Sequence, residues 1–166
     1  MISHPQTVHF PVVLFLVAMS IEIISYFYKK ELMSRQSLIF LILSCIGTYL
    51  ALKTGEGAAE SVKLIPGIQS SLEIHQNAGE IFLYVLLFIT VVKVFIITIK
   101  KDIVPWRILI LLAMLAVTFQ LYRTAHFGGQ LVYEWGAGVK PVMISIPKSA
   151  PSDSISTSNL HSDESQ

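Results

Sequence analysis

The first informative feature of this sequence is how little charge it carries. Of its 166 residues, 53% are hydrophobic and only 14% are charged, well below the roughly 25% charged share of soluble domains. A soluble core cannot bury so much apolar surface, so the composition predicts a membrane protein. The formal net charge is only +1, which leaves no basic face for nucleic acid.

Several chemical motifs are also missing from the chain. Cys45 is the single cysteine, which excludes a disulfide framework within the chain, and we interpret it as a small buried packing residue. Covalent haem attachment is excluded because no CxxCH segment occurs. There is also no HExxH helix and no glycine-rich phosphate loop. The chemistry must therefore come from residues at the apolar segments.

Four apolar runs are long enough to cross a bilayer. At about 1.5 Å per residue, each covers roughly the 30 Å of membrane hydrocarbon. The runs are residues 10–28, 36–53, 78–99 and 104–122. They predict an all-α fold, an integral membrane four-helix up-and-down bundle that forms one domain over residues 1–140. Residues 141–166 are rich in serine with little to bury, and predict a disordered C-terminal tail.

The lysines and arginines predict the orientation of this bundle. Short cytoplasmic loops contain an excess of these residues. Two of the three predicted loops have them in or beside the loop: Lys29, Lys30 and Arg35 at one, and Lys100, Lys101 and Arg107 at the other. We expect both termini on the outside of the inner (plasma) membrane. The first run has no positively charged segment before it, so we expect an uncleaved helix instead of a signal peptide.

Three histidines are expected at the outer edge of the bundle. His9 precedes the first run, His75 precedes the third and His126 follows the fourth. Imidazole is the usual nitrogen ligand of haem iron, zinc and copper. Since the first and third helices of such a bundle lie diagonally, we expect His9 and His75 to clamp a haem b, with His126 orienting a propionate or acting as an alternative ligand. We expect no such role for His4, placed before the helix, or for His161 in the tail.

Small residues form a stripe along the second predicted helix. Gly47, Ala51, Gly55 and Ala59 follow one another at four-residue spacing. The simpler interpretation is close helix packing. In the second interpretation, Gly55 makes room for a planar macrocycle together with Gly79, which lies one turn after His75. Leu52 is expected to face outward.

Polar residues inside the spans are costly and therefore informative. We interpret Glu22 and Lys93 as a buried pair that locks the first helix to the third, in preference to a proton path. Arg123 shares a helix face with His126. It is a candidate partner for a propionate or another anion, and a snorkelling arginine is the alternative.

Motifs around these histidines resemble a known family. They are HPQTVHFP at residues 4–11, TGEGAAE at residues 54–60, His75, and HFGGQLVY at residues 126–133 followed by Gly136. In this order they resemble the predicted membrane proteins grouped as domain of unknown function 2231. The resemblance covers roughly residues 4–139. It departs at Gln76, where many relatives have an acidic residue. Association of some relatives with c-type cytochrome domains implies redox chemistry and a c-type cytochrome, or another redox partner, on the outer side.

Three functional classes remain open at this point. The first is electron transfer through haem b. The second is a histidine-ligated zinc or copper site, possible in a hydrolase, for which an open coordination position and a general base are needed. The third is a non-catalytic scaffold subunit of a membrane complex. Whether the protein is an enzyme is left open by the sequence.

Overall fold

The computed structural model describes residues 4–28, 31–99 and 103–138. These residues form four helices: α1 (His4–Tyr28), α2 (Glu31–Val62), α3 (Gln69–Thr98) and α4 (Val104–Tyr133). All four are long and apolar enough to cross a membrane, so the predicted all-α membrane bundle is confirmed. The predicted tail, residues 141–166, lies outside the described residues, as do Lys29, Lys30, Lys100 and Lys101.

The helices extend well past the apolar runs at the end of the bundle that contains His4 and Tyr133. The Lys and Arg distribution predicts that this end lies outside, and we call it the outer end. The helices are 25, 32, 30 and 30 residues long, whereas about 20 residues suffice to cross a bilayer. An apolar run marks the part of a helix in hydrocarbon, and polar residues such as Glu56 continue the helix beyond it. The expectation that His4 precedes the first helix is therefore wrong, since α1 begins at His4.

The helices form a ring in chain order. Each of α1 and α3 packs against both α2 and α4, whereas among the described residues no Cα atoms of α1 and α3, or of α2 and α4, lie within 8 Å of each other. The predicted diagonal placement of the first and third helices is thus confirmed. Side chains meet across the diagonal, as in the edge-to-face contact of Phe15 with Phe82, whose ring centroids are 6.3 Å apart.

A buried ion pair also crosses this diagonal. Lys93 Nζ donates to Glu22 Oε2, and donates to Ser37 Oγ at 3.1 Å. Glu22 and Lys93 are each only 2% exposed. The predicted Glu22 to Lys93 pair between the first and third helices is therefore confirmed.

The two helical hairpins, α1–α2 and α3–α4, repeat the same pattern of burial. Each buried residue of α1 has a buried counterpart 71 residues later, in α3. The pairs are Pro11/Phe82, Phe15/Leu86, Ala18/Ile89, Glu22/Lys93 and Ser25/Ile96. Buried residues of α2 likewise have buried counterparts 73 residues later, in α4. The pairs are Ser34/Arg107, Ser37/Ile110, Leu41/Met114, Ser44/Val117 and Gly47/Gln120. This repeated pattern is the one expected of two hairpins related by a pseudo-twofold axis parallel to the helices, as in membrane proteins with parallel repeats.

Candidate functional site at the outer end of the bundle

His4 projects into the α1–α2 contact at the outer end. Its Nδ1 lies 3.3 Å from Thr54 Oγ1, and the backbone of Ala51 accepts a hydrogen bond from the imidazole. The ring lies directly against Gly55, because a Cβ built there would be 2.9 Å from His4 Cε1. Burial lowers the pKa of His4 below its ordinary 6.5, more than the Ala51 hydrogen bond raises it. The fold therefore favours the neutral imidazole.

His75 makes the corresponding contacts between α3 and α4. Its Nδ1 lies 3.2 Å from the carbonyl oxygen of Thr124, so Nδ1 must be the protonated nitrogen that donates. A Cβ built on Gly128 would lie 2.9 Å from His75 Cε1. The Thr124 hydroxyl donates to Ala78 O at 3.0 Å, which ties this part of α4 to α3. His75 is thus held in one orientation, with its tautomer fixed.

The two histidine environments are related by the pseudo-twofold axis. The shifts that align the hairpins carry His4 onto His75, Ala51 onto Thr124 and Gly55 onto Gly128. Both imidazoles lie against the same glycine position, whereas His4 Nδ1 contacts the Thr54 hydroxyl and His75 Nδ1 contacts the Thr124 carbonyl. Both rings are half-buried and close enough to interact electrostatically. The outer end consequently presents two imidazoles from diagonal helices.

The other two expected ligands lie elsewhere on the surface. His9 and His126 are exposed. His126 stacks on Tyr122, with ring centroids 6.2 Å apart and planes at 17°. The structure does not bring either residue together with His75. His9 is exposed because it lies five residues after His4, which corresponds to a rotation of about 140° about the helix axis.

His4 could have been found from the sequence by one signal. The buried positions of α1 recur every three or four residues at Pro11, Phe15, Ala18 and Glu22. Extending that spacing toward the N-terminus reaches Val8 and then His4, and never His9. His4 is missed because the end of the apolar run is taken as the start of the helix.

The small residues of α2 serve close packing against α1. A Cβ on Gly47 would lie 3.1 Å from Phe10 Cδ1 and 3.2 Å from Pro11 Cβ. The packing interpretation of the stripe thus matches the structure, and the space beside Gly55 holds the His4 ring. Gly79 is buried and makes room for Leu52 of α2, whose Cδ2 is 3.1 Å from a Cβ built there. The expectation that Leu52 faces outward is wrong, because this face of α2 packs against α3.

Arg123 lies on the exposed part of α4. Its Nη1 is 3.5 Å from Gln120 Oε1, and its guanidinium lies 5.8 Å from the centre of the Phe127 ring. Among the described residues, no group of three or more histidine, cysteine, aspartate or glutamate side chains is positioned to hold a metal ion. The described part of the outer end therefore brings His4 and His75 near each other, and does not gather His9, His75 and His126.

The comparisons with known proteins bear on the family alone. No curated protein and no solved structure matches the chain. One family model, described as a predicted membrane protein (DUF2231), matches residues 3–141. That range contains all four helices and both histidine environments. The chain therefore belongs to the DUF2231 family of predicted membrane proteins.

Proposed function

We propose that this protein binds one haem b between His4 and His75 at the outer end of the bundle and acts in electron transfer. The single observation that supports this most is the pair of interior imidazoles at equivalent positions on diagonal helices. Bis-histidine ligation requires two imidazoles on opposite sides of one plane. Two imidazoles at equivalent positions on diagonal helices would meet that requirement.

The hydrogen bonds of both imidazoles fit iron ligation. A ligating histidine usually donates its other ring N–H to a carbonyl or a similar acceptor, which fixes the ring and its tautomer. The Nδ1–H group of His75 does so to Thr124 O. Thr54 Oγ1 donates to Ala51 O at 3.0 Å, so it can accept from His4 Nδ1. In both residues this leaves the lone pair on Nε2, the nitrogen that would ligate iron.

Glycine contributes to the same arrangement. The rings of His4 and His75 lie so close to Gly55 and Gly128 that a Cβ at either position would displace them. These residues would therefore set the depth and angle of each ligand. Haem, when bound, supplies a one-electron couple, and the half-buried histidines would shield it from water. Arg123, in the outer part of α4, offers a guanidinium to a propionate.

A zinc or copper site is less well supported by the same geometry. Catalytic zinc sites usually have three protein ligands, and the described residues bring only two histidines together. A scaffold role would not require two matched imidazoles with fixed tautomers. Haem therefore fits the arrangement best.

The orientation of the chain sets where electrons would be exchanged. The Lys and Arg distribution supports an inner (plasma) membrane protein with both termini and the haem on the outer side. A c-type cytochrome or another redox protein on that side would then be the partner.

The experiment compares histidine variants of the purified protein. His4→Ala and His75→Ala should each lose the low-spin haem spectrum, and added imidazole should restore it by filling the vacated ligand position. His9→Ala and His126→Ala are matched controls at the same end of the bundle and should keep the spectrum. If His9→Ala removes the haem and His4→Ala does not, the assignment of the ligands is wrong.

A further inference from the structure

A groove between α2 and α3 lies beside the proposed haem site. It has a volume of about 170 Å³ and is lined by Tyr49, Lys53, Glu56, Glu80 and Tyr84, with two leucines at its base. That volume compares with the roughly 150 Å³ of an apolar cavity that accommodates benzene. The groove is therefore large enough for one six-membered ring.

The groove lies at the outer boundary of the hydrocarbon. From Gln36, where the second apolar run begins, Lys53 is about 26 Å along the helix axis, close to the roughly 30 Å thickness of the hydrocarbon. Tyr49 and Tyr84 are 52% and 64% exposed, so the groove opens laterally toward lipid. A membrane-dissolved molecule with a polar ring can enter it without crossing into water.

The polar groups of the groove favour a neutral ligand that donates hydrogen bonds. Lys53 Nζ donates to both carboxylate oxygens of Glu56, at 2.8 and 2.9 Å, and Glu80 interacts electrostatically with Lys53. One lysine against two glutamates leaves the groove net negative, which disfavours an anionic lipid headgroup. Carboxylates and phenol oxygens can accept hydrogen bonds from hydroxyl groups at two ends of a ring.

The groove lies against the α3 face that also carries His75. Leu52 at its base lies against Gly79, and Gly79 is one helical turn, about 6 Å, from His75 on the same face of α3. Glu80 follows Gly79 in the chain. Leu52 therefore lies between the groove and the face of α3 that carries His75 and Gly79.

We infer that this groove binds a membrane quinol, a para-hydroquinone with an apolar tail. The inference rests on the proposed haem for its redox step, although binding itself does not need the haem. In that step one quinol loses two electrons and two protons to become the quinone. The electrons would leave one at a time to a haem held by His4 and His75, which would supply a one-electron acceptor and be reoxidised by the outer redox partner between the two transfers. The protons would pass to the carboxylates of Glu80 and Glu56 and then to outer water.

The test uses a photoreactive benzoquinone with a ten-carbon tail and the full-length protein in phosphatidylcholine nanodiscs. Cross-linked peptides, identified by mass spectrometry, should come from residues 49–56 and 80–84. Glu80→Ala should weaken binding of the quinone by about tenfold, as expected for one hydrogen bond to a charged group, and Tyr49→Phe should weaken it by a few fold. Tyr122→Phe is the matched control, because Tyr122 occupies the pseudo-twofold equivalent of Tyr49.

The outcomes separate this inference from the proposed function. Cross-links in the groove together with weaker binding by Glu80→Ala support the quinol site, whether or not haem copurifies. The quinol site is overturned if the cross-links are scattered over the lipid-facing surface, or if Tyr49→Phe and Tyr122→Phe weaken binding equally. If the protein has a haem spectrum in that case, the haem proposal still holds.

Discussion

His4 and His75 face the interior of the bundle from equivalent positions on diagonal helices. Each imidazole lies against a glycine of the following helix, Gly55 for His4 and Gly128 for His75. Two hairpins of different sequence thus have the same arrangement of imidazole and glycine. The equivalence also explains the buried ion pair, because Glu22 and Lys93 each lie 18 residues after their histidine and so reach the same depth.

Adding a single methyl group at either glycine should disturb the histidines. In Gly55→Ala or Gly128→Ala, the new Cβ would be 2.9 Å from an imidazole carbon, so the ring must shift. Since Ala also gains about 1 kcal/mol of helix propensity over Gly, we expect these two variants to be less stable than the controls below by about 1 kcal/mol or more and to have a changed haem spectrum. Gly57→Ala and Gly129→Ala are controls, since a Cβ there meets nothing within 4 Å. Thermal unfolding in detergent measures the effect, and equal stabilities of all four variants would contradict the packing described.

The Glu22 to Lys93 pair should be sensitive to the removal of one partner. Either Glu22→Leu or Lys93→Met leaves an uncompensated charge inside the bundle and should cost about 3–5 kcal/mol. The double variant should recover most of that loss because no charge remains buried. The free energies of unfolding of the three variants form a double-mutant cycle. Additive losses in the double variant would show that the two side chains act independently.

Exchanging the two charges provides a test of the pseudo-twofold axis. Since Glu22 and Lys93 occupy equivalent positions on α1 and α3, Glu22→Lys combined with Lys93→Glu should rebuild the pair with its direction reversed. We expect the double variant to be closer in stability to the unmodified protein than either single exchange. If both single exchanges fold and the double variant does not, the environments of residues 22 and 93 are not equivalent.

The stability of the protein without haem should fall in mildly acidic solution. Burial lowers the pKa of His4 from its ordinary 6.5, so the folded state prefers the neutral imidazole. Its contribution is fully present above 6.5 and is lost as pH falls through the lowered pKa of the folded state. Unfolding followed from about pH 8 to about pH 5 should show this loss, and His4→Asn should flatten the slope. An unchanged slope in His4→Asn would assign the effect to other groups.

Much of the fold could be predicted from the sequence because membrane spans have a strong physical signal. The number of spans, the diagonal arrangement and the Glu22 to Lys93 pair follow from apolar length and from the cost of burying charge. The register of the outer end could not be read in the same way. Beyond the hydrocarbon, polar residues no longer reveal which face is buried, and so His9 was expected where His4 lies.

Absorption of the unmodified protein, purified from its native membrane, tests the central proposal most directly. Oxidised and dithionite-reduced spectra should show a sharp Soret band and low-spin bands typical of two imidazole ligands, with about one haem b per chain by extraction. A protein that is folded, monodisperse and free of both a Soret band and stoichiometric iron would contradict the haem proposal.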